Sequence, residues 1–502
     1  MKEVFFGVKA MEPMMVGLDI AADAVCCTLG PKGKNVFIDG GIPKIINDGA
    51  SVANDVVLKD KLQNAGAYVI RNISAQQNDD VGDGTTTVAC LTQAIIHECL
   101  KRPENPMLIK QSLKEAGASV LKTLAKRSVK ISKKDIEKVA LISSENKELA
   151  RLVTEIIEKL GEKAVINVED SKTFATDYEI TNGYEANTGF MSPHFITDKK
   201  TSRAIYENVP VLVSEKKISN LGDIAPLFET FKKEGINSCV IICEDIDDAM
   251  LGIFVANKNM GTFNSLVIKA NGPLLQDIEG VVGARAVSDS NGLTFKNLQL
   301  SDLGKVKKIV CDAHKTIFIG NGTTASIRAK ELHARAEAEP NMYLAKTLRS
   351  RADKLRGGIA VLRIGAPTDF ERDYLRLKAE DTVKAVQAAL EEGVVEGGGM
   401  TLWRIASEMK PKTVGEEILK SSLAQPLKKI ISNCGKDYTE IITSLPVGKG
   451  YDAKNDCYVD MIKEGIIDPA KVERCAIENS VSTASVFITT HAVITDVVEE
   501  KK

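Results

Sequence analysis

The sequence predicts a mainly α protein with an α/β middle section, and three observations support this fold class. Residues up to about 126 carry long amphipathic runs with helical spacing, for example 61–77 and 107–126, and the chain is again mainly helical from 376 onward. The middle carries short Val/Ile-rich runs that alternate with helical segments, a pattern typical of an α/β layer. The length of 502 residues is enough for about three domains with separate hydrophobic cores.

The first third is predicted to be a strand followed by helices. Residues 1–9 alternate apolar and polar side chains, which indicates a strand. The stretch has no uninterrupted apolar region and no small-residue cleavage site, so it is not typical of a signal peptide. Residues 138–170 then predict two helices and a strand at 164–168.

The middle section is predicted to alternate strands and helices. The predicted buried strands lie at 209–213, 239–243, 265–270 and 308–311, with helices at 225–234 and 247–260. Residues 323–356 are charged, have helical spacing and break near Pro340, so we expect two solvated helices packed against each other. A short strand at 360–365 and a mainly helical region from 376 onward complete the chain.

Composition disfavours several classes of function. The net charge is −2 and only 5% of the residues are aromatic, so neither a polybasic surface nor base-stacking platforms indicate a nucleic-acid partner or an anionic membrane. No apolar run approaches the roughly 18 residues that span a bilayer. We therefore expect a cytoplasmic protein with no nucleic acid and no membrane among its partners.

The cysteines and histidines predict no metal cluster and no thiol catalysis. The ten cysteines are scattered, and the five histidines do not approach them with zinc-ligand spacing. We expect reduced, mostly buried cysteines.

Residues 82–87, which read GDGTTT, carry the clearest chemical signal. Asp83 between two glycines is a hard oxygen ligand on backbone that can approach a ligand closely. Thr85, Thr86 and Thr87 begin a stretch of helical spacing, and a helix N-terminus favours an anion. This combination indicates a phosphate–Mg²⁺ site, and the alternative is an ordinary Asp/Thr helix cap.

Two other glycine-containing stretches favour the nucleotide interpretation. Residues 28–36 form a Gly/Lys-rich turn that leads into an apolar run, and Asp48 follows at another turn-to-helix junction. Three glycines at 397–399 separate two helical runs. The Walker spacing of Gly, Lys and Ser/Thr is absent, so the site is not an ordinary P-loop.

These segments together resemble the group I chaperonins of the GroEL type. The matching segments are 28–35 (TLGPKGKN), 47–52 (NDGASV), 82–87 (GDGTTT), 391–399 (EEGVVEGGG), 450–453 (GYDA), 465–472 (GIIDPAKV) and 489–496 (TTHAVITD). The resemblance implies a three-domain chaperonin subunit with a helical equatorial domain, a small α/β intermediate hinge and an α/β apical domain. The implied boundaries are 1–126 with 391–502, then 127–181 with 360–390, and 182–359.

The resemblance also implies an ATPase that uses ATP and Mg²⁺, with K⁺ as a further candidate ion. Asp83 would hold the metal, Asp48 would lie beside the γ-phosphate, and Asp381 would orient the attacking water. An alternative for Asp381 is a helix N-cap. The other implied nucleotide contacts are Thr28, Leu29, Gly30, Pro31, Asn47, Gly84, Thr85, Thr86, Thr87, Gly398, Asp452, Ala453, Lys454 and Asp468.

Two site positions depart from the family pattern. The family has a lysine where this chain has Asn47, so a positive charge near the phosphates is missing. The family has an asparagine where this chain has Asp452. The carboxylates needed for Mg²⁺ and hydrolysis remain, so the sequence predicts ATPase activity that is full or reduced.

In the apical segment the family exposes an apolar groove that captures unfolded chains and a small lid co-chaperonin. The matching residues are Phe190, His194, Phe195, Ala225, Phe228, Leu251, Val255 and Ala256. We expect Phe195, Phe228 and Leu251 to be exposed together. The implied assembly is a homo-oligomeric ring, with seven subunits in the family.

Three functions are compatible with the sequence. The first is an ATP-dependent chaperone that captures non-native proteins and assists their folding. The second is a specialised paralogue that binds clients without a full folding cycle, favoured by Asn47, a shorter apical loop and the absence of the family's Gly/Met-rich tail. The third, a small-molecule kinase, needs an acceptor site for which the sequence offers no candidate.

Overall fold

The computed structural model describes residues 2–39, 44–131, 133–162, 164–320 and 322–496. The chain forms two compact units. Unit 1 contains the described residues of 1–158, 170–176 and 364–502, and unit 2 contains those of 159–169 and 177–363. The predicted three-domain boundaries stay a prediction.

Helices dominate the described residues. In chain order they are α1 (Val8–Cys26), α2 (Gly49–Asp55), α3 (Lys61–Val81), α4 (Thr85–Leu100), α5 (Pro106–Arg127), α6 (Lys133–Ser144), α7 (Lys147–Leu160), α8 (Leu221–Lys233), α9 (Asp248–Asn259), α10 (Gly272–Val282), α11 (Gly322–Ala338), α12 (Met342–Arg356), α13 (Asp369–Glu392), α14 (Met400–Glu408), α15 (Val414–Ser422), α16 (Gln425–Asn433), α17 (Tyr438–Thr443), α18 (Met461–Glu464) and α19 (Ala470–Phe487).

The strands of the described residues are mostly short. They are β1 (Lys2–Phe6), β2 (Val36–Ile38), β3 (Lys44–Ile46), β4 (Val165–Asp170), β5 (Asp177–Ala186), β6 (Ala204–Ser214), β7 (Ser238–Cys243), β8 (Asn264–Lys269), β9 (Gly304–Cys311), β10 (Thr316–Ile319), β11 (Gly358–Ile364), β12 (Val394–Glu396), β13 (Gly450–Asp452), β14 (Cys457–Val459), β15 (Ile467–Pro469) and β16 (Ala492–Asp496).

Unit 1 is a helical bundle with four small two-stranded sheets among the described residues. Helices α1, α3, α4, α5 and α19 pack against one another and bury a shared apolar core. Each fully buried Leu or Ile in such a core contributes about 1.5–3 kcal/mol. Side-chain caps fix where the helices begin, as Asp60 does when it accepts from the Gln63 N–H at 2.8 Å. This rigid bundle positions the loops that connect its helices.

Unit 2 is built around an eight-stranded sheet in the order β4-β11-β5-β10-β9-β6-β7-β8. Strands β6, β7 and β8 are parallel and are linked through α8 and α9, the βαβ arrangement that covers a parallel sheet with helices. The remaining pairs with a described register are antiparallel. Strand β7 is buried along almost its whole length, as its continuous apolar run predicts.

Most predicted elements are confirmed. The predicted break near Pro340 separates α11, which ends at Ala338, from α12, which begins at Met342. The predicted first strand is β1, which pairs with β16 in antiparallel register. Sequence reasoning missed the short pairs β12–β15 and β13–β14, because strands of three residues carry almost no periodic signal. Among the described residues, no helix has the length and apolar character needed to cross a membrane.

Candidate functional site

The GDGTTT segment forms a tight link between α3 and α4. Gly82 and Gly84 adopt left-handed backbone angles, with φ of 67° and 73°, which side chains rarely tolerate. The Asp83 carboxylate accepts the N–H of Gly84 at 2.6 Å, and the N-cap of α4 is Gly84 with no side-chain cap. The alternative of an ordinary Asp/Thr helix cap is therefore wrong. The first-turn N–H groups of α4 lack intrahelical partners, as at any helix N-terminus.

The two other N-terminal motifs converge on the same helix start. The Thr28 and Thr86 hydroxyl oxygens lie 3.4 Å apart. Gly49 lies so close to Thr85 and Thr86 that a β-carbon there would overlap both hydroxyl oxygens. Asp48 caps α2 through both carboxylate oxygens, at 3.4 Å from the Ala50 nitrogen and 2.7 Å from the Ser51 nitrogen. A cluster of hydroxyl and N–H donors thus surrounds two carboxylates.

Asp381 joins this cluster from α13. Burial, followed by the charges of Asp48 and Asp83, raises the pKa of the Asp381 carboxyl well above its usual range. Burial also raises the pKa of the Asp83 carboxyl, and the charge of Asp48 acts in the same direction. Asp381 lies in the interior of α13, whose N-cap is Thr368, so the N-cap alternative for Asp381 is wrong. Three carboxylates therefore share one site, where the charge of Asp48 disfavours ionisation of both Asp381 and Asp83.

Sequence reasoning missed Lys378, the cation that faces these carboxylates. Its charge lowers the pKa of Asp381 and of Asp83. Its Nζ atom lies 3.0 Å from the Glu145 carboxylate. Glu145 has a φ of 54°, a strained conformation for a residue with a side chain. The sequence offered one signal for Lys378: it lies three residues before Asp381 in a predicted helical region, and residues three apart on a helix are neighbours on its surface.

The glycine cluster meets Asp468 on the other side of the site. Strands β12 and β15 pair with Val395 opposite Asp468. The Gly398 N–H then donates to the Asp468 carboxylate at 3.1 Å. Burial, followed by the charge of Asp83, raises the pKa of Asp468 to about 7. Gly398 and Asp468, both implied nucleotide contacts, are thus brought together near Asp83, whose charge acts on Asp468.

A second missed residue is Glu473, in the first turn of α19. It is 5% exposed, and its Oε2 atom has no hydrogen-bond partner. Burial, followed by the charges of Asp468 and Asp83, raises the pKa of Glu473 to about 8. In the sequence it is only an acidic residue at a helix start, which is usually a surface feature.

Replacing Glu473 by Gln should remove a pH-dependent destabilisation. Folding raises the pKa of the Glu473 carboxyl from 4.5 to about 8. Between these pH values the folded protein keeps a proton that the unfolded chain releases, so the free energy of unfolding falls as pH rises. At about pH 9 the free energy of unfolding of the variant should be about 2–4 kcal/mol higher than that of wild type, with little difference near pH 4.5. Urea unfolding at both pH values measures this, with Glu478→Gln on the same helix as the control. An equal effect at both pH values would contradict the assignment.

The remaining implied nucleotide contacts come from two segments of unit 1, 29–31 and 452–454. Leu29 and Ala453 contact one apolar cluster in unit 1, and Asn433, which sequence reasoning missed, donates to the Leu29 carbonyl at 2.8 Å. Asp452 is buried, and its carboxylate accepts the N–H groups of Lys454 and Asn455 at 2.9 and 3.1 Å. Asp452 therefore shapes the turn between β13 and β14. Gly30 has a left-handed φ of 87°, and Pro31 and Lys454 are exposed.

Asn47 precedes Asp48 and is half-buried. Its Oδ1 atom is buried without a hydrogen-bond partner. An unpaired buried carbonyl oxygen is costly unless a cation or a donor approaches it.

The site residues fit Mg²⁺ bound together with a phosphate ligand. Among the described residues, no three His, Cys, Asp or Glu side chains form a cluster that could hold a metal alone. Mg²⁺ typically takes one or two protein carboxylates and fills the other positions with water and phosphate oxygens. Half-buried Asp83, with raised pKa and Asp48 and Asp381 nearby, supplies such a carboxylate.

Unit 2 carries the predicted client-binding residues. The structure places Phe190, His194 and Phe195 before β6, Ala225 and Phe228 on α8, and Leu251, Val255 and Ala256 on α9.

The expectation that Phe195 is exposed is wrong, because the structure buries it completely. Lys258 donates to the carbonyl oxygens of His194 and Ile196 at 3.0 Å each, which holds this turn against α9. The Lys258 Nζ atom also lies 5.9 Å from the centre of the Phe195 ring. Phe195 therefore belongs to the core of unit 2.

Phe228 and Leu251 are half-buried. The Phe228 ring packs edge-on against Phe231 at 5.5 Å and Phe263 at 5.0 Å, and it reaches Phe254 on α9 at 5.8 Å. These contacts join α8 to α9 and leave Phe228 with a structural role. Leu251 and Val255 lie one turn apart on α9 and stay partly accessible, while Ala256 and His194 are exposed.

Comparisons with known proteins agree with this architecture. Two crystal structures of the chaperonin gp146 from the bacteriophage EL 2 (Pseudomonas aeruginosa), both in the presence of ATP-BeFx, match 99% of this chain and 99% of their own. Both are 20% identical in sequence, with TM-scores of 0.71 for crystal form II and 0.65 for form I. A family model described as the TCP-1/cpn60 chaperonin family matches residues 21–497. The chain belongs to the TCP-1/cpn60 chaperonin family.

Proposed function

We propose that this protein is an ATP-dependent chaperone that captures non-native proteins and assists their folding in an oligomeric ring. The observation that carries the proposal is the convergence of Asp48, Asp83 and Asp381 on the N-terminus of α4. That arrangement combines an anion-binding helix end with carboxylates for a metal and for water. Family membership supports the chaperone role, and the site supports its dependence on ATP.

The phosphate chain would lie against the start of α4. The hydroxyls of Thr85, Thr86 and Thr87 and the first-turn N–H groups would donate to phosphate oxygens, and Thr28 would do so from its loop. Mg²⁺ held by Asp83 would neutralise phosphate charge and would favour the ionised form of the neighbouring carboxylates. Asp381 would then accept a proton from the attacking water and orient it toward the γ-phosphate, beside Asp48.

The sugar and base would extend toward the glycine cluster. The Asp468 carboxylate, fixed by the Gly398 N–H, would accept hydrogen bonds from ribose hydroxyls. Leu29 and Ala453 would offer an apolar surface to the base. Asn47 Oδ1 has the chemistry of a ligand for a monovalent cation such as K⁺, because it is an unpaired buried oxygen beside Asp48.

The capture surface would lie on α8 and α9 in unit 2. The accessible apolar area comes from Ala225, Leu251, Val255 and Ala256, with a contribution from half-buried Phe228. Contiguous apolar area on a surface is typical of a protein-binding site. The same surface would receive the lid co-chaperonin.

Polar substitutions on α9 should weaken client capture without changing basal ATPase activity. Leu251→Ser and Val255→Ser each remove partly exposed apolar area, and we expect an affinity loss of roughly tenfold for a denatured test protein. The measurement is capture of denatured enzyme by the purified variants. Met342→Ser, at an 87% exposed position on α12, is the control and should bind normally. Normal capture by both α9 variants would move the binding surface elsewhere.

Two exposed sheet edges in unit 1 support self-association into a ring. In the β1–β16 pair, Val4, Phe6 and Ile494 are exposed, and in the β2–β3 pair Phe37 and Ile45 are exposed. Two-stranded sheets with unpaired edges and apolar side chains readily pair with another strand. Pairing between copies of this chain would cover these side chains.

The second candidate, a paralogue that holds clients without a full folding cycle, rests on Asn47. Asn47→Lys returns a positive charge beside the phosphates, and we expect nucleotide binding to tighten or turnover to rise by about three- to tenfold. Titration with a fluorescent ATP analogue and steady-state hydrolysis measure the two quantities. Asn187→Lys, at an exposed position in unit 2, controls for net charge. If neither quantity rises, the site has compensated elsewhere and Asn47 does not favour the holding function.

Release of a captured client tests the proposed function. Denatured enzyme should bind the nucleotide-free protein and leave it when ATP and Mg²⁺ are added, but not when Mg²⁺ is withheld. Capture that is indifferent to ATP would support the holding function. No capture under either condition would overturn both functions.

A further inference from the structure

A cavity in unit 1 is lined in part by two thiols. Its volume is about 390 Å³, and it lies between the end of α1, the middle and C-terminal part of α4, and α16. Cys26 and Cys90 line it together with His97 and Lys429. The space is sufficient to admit a small polar reagent to the two sulfur atoms.

The two thiols face the same cavity from the packed helices α1 and α4. Cys26 and Cys90 are 2% and 6% exposed. The adjacent Cys27 differs, because it is half-buried and its thiol donates to the Ala24 carbonyl at 3.2 Å. Contact with Cys90, followed by burial, raises the pKa of the Cys26 thiol, whereas the charge of Lys429 lowers it. Cys90 is thus the slightly more exposed residue of the pair, and Cys26 is the more deeply buried one.

We propose that Cys26 and Cys90 form a reversible disulfide when a peroxide enters this cavity. The peroxide oxidises the Cys90 thiol to a sulfenic acid and is itself reduced, which releases one water. The Cys26 sulfur then attacks the sulfenic sulfur, the S–S bond forms, and a second water leaves. Two thiols supply the two electrons that one peroxide accepts. A dithiol reductant reverses the reaction by exchange.

The disulfide would restrain the loop that begins the candidate site. Cys26 ends α1 two residues before Thr28, and Cys90 lies about one turn after the threonines of α4. Asn433 already donates to the Cys26 carbonyl at 3.0 Å and to the Leu29 carbonyl at 2.8 Å, so the loop has one fixed side. A covalent link from Cys26 to α4 would fix the other side. This restraint follows from the geometry of α1 and α4 and does not depend on the proposed chaperone function.

Peptide mapping of the native protein tests the proposal. The protein is treated with hydrogen peroxide, alkylated, denatured and digested without reductant. We expect a peptide pair that joins Cys26 to Cys90 and disappears with dithiothreitol, ahead of any oxidation at half-buried Cys27 or exposed Cys457. Oxidation of Cys27 or Cys457 while Cys26 and Cys90 remain free thiols would overturn the proposal, and so would the absence of any oxidation.

Hydrogen exchange tests the restraint. Amides of residues 26–34 should exchange several-fold more slowly in the oxidised protein and recover on reduction. Cys90→Ser should abolish both the linked peptide and the slower exchange, whereas Cys99→Ser, also buried on α4, should leave both intact. Equal exchange rates in the oxidised and reduced protein would contradict the proposed restraint of this loop. If Cys90→Ser fails to fold, peptide mapping and hydrogen exchange on the wild-type protein still test both the disulfide and the restraint.

Discussion

Asp381→Ala is expected to bind ATP almost as well as wild type and to hydrolyse it about 10²–10⁴-fold more slowly. The carboxylate lies near Asp48 and Asp83, where it would orient water while other groups would hold the phosphates. Loss of an interaction made mainly in the transition state lowers kcat and leaves binding intact. Single-turnover hydrolysis and equilibrium binding separate the two effects.

The control for Asp381 is Glu371→Ala, which removes an exposed carboxylate from the first turn of the same helix. Its hydrolysis should stay within a factor of two of wild type. Wild-type turnover in Asp381→Ala would exclude this residue from the mechanism. A parallel loss of binding would indicate a structural role for Asp381.

Asp83→Ala is expected to abolish the dependence of ATP binding on Mg²⁺ and to weaken binding in the presence of Mg²⁺ by about 100-fold, equivalent to about 2.7 kcal/mol. The reason is that Asp83, between two glycines at the start of α4, is the carboxylate we propose as the metal ligand. Without nucleotide, the variant should be at least as stable as wild type, since burial alone already disfavours the charged form of Asp83.

Thermal unfolding with and without Mg²⁺-ATP measures both parts of the Asp83 prediction. Asp79→Ala, an exposed position at the end of α3, is the matched control and should keep the full nucleotide-dependent shift. A Mg²⁺-dependent shift in Asp83→Ala equal to that of wild type would assign the metal to another carboxylate.

The sequence could predict the elements and the nucleotide motifs because both depend on local patterns. The start of α4 and the cap of α2 follow from residues within one turn of Asp83 and Asp48. The family resemblance added Asp381 and Asp468, which are distant in sequence from the motifs they join. Their approach to Asp83 is a property of tertiary packing, which no local pattern encodes.

The residues that sequence reasoning missed or misplaced depend on tertiary contacts. Glu473 is an ordinary acidic residue at a helix start until the fold buries it beside Asp468. Phe195 was expected on a surface, but Lys258, more than 60 residues away, folds its turn into the core. In both cases the decisive neighbour is distant in the chain, so neither hydrophobic periodicity nor motif spacing could identify it.

The most direct test of the central claim is the refolding of a chemically denatured enzyme by the wild-type protein and by Asp381→Ala. The account predicts that Mg²⁺-ATP raises the recovered enzyme activity with wild-type protein, and that a matched lid protein raises it further. Asp381→Ala should capture the denatured enzyme but should not refold it through repeated cycles of ATP hydrolysis. Equal recovery with and without ATP, or equal recovery by wild type and Asp381→Ala, would contradict the account.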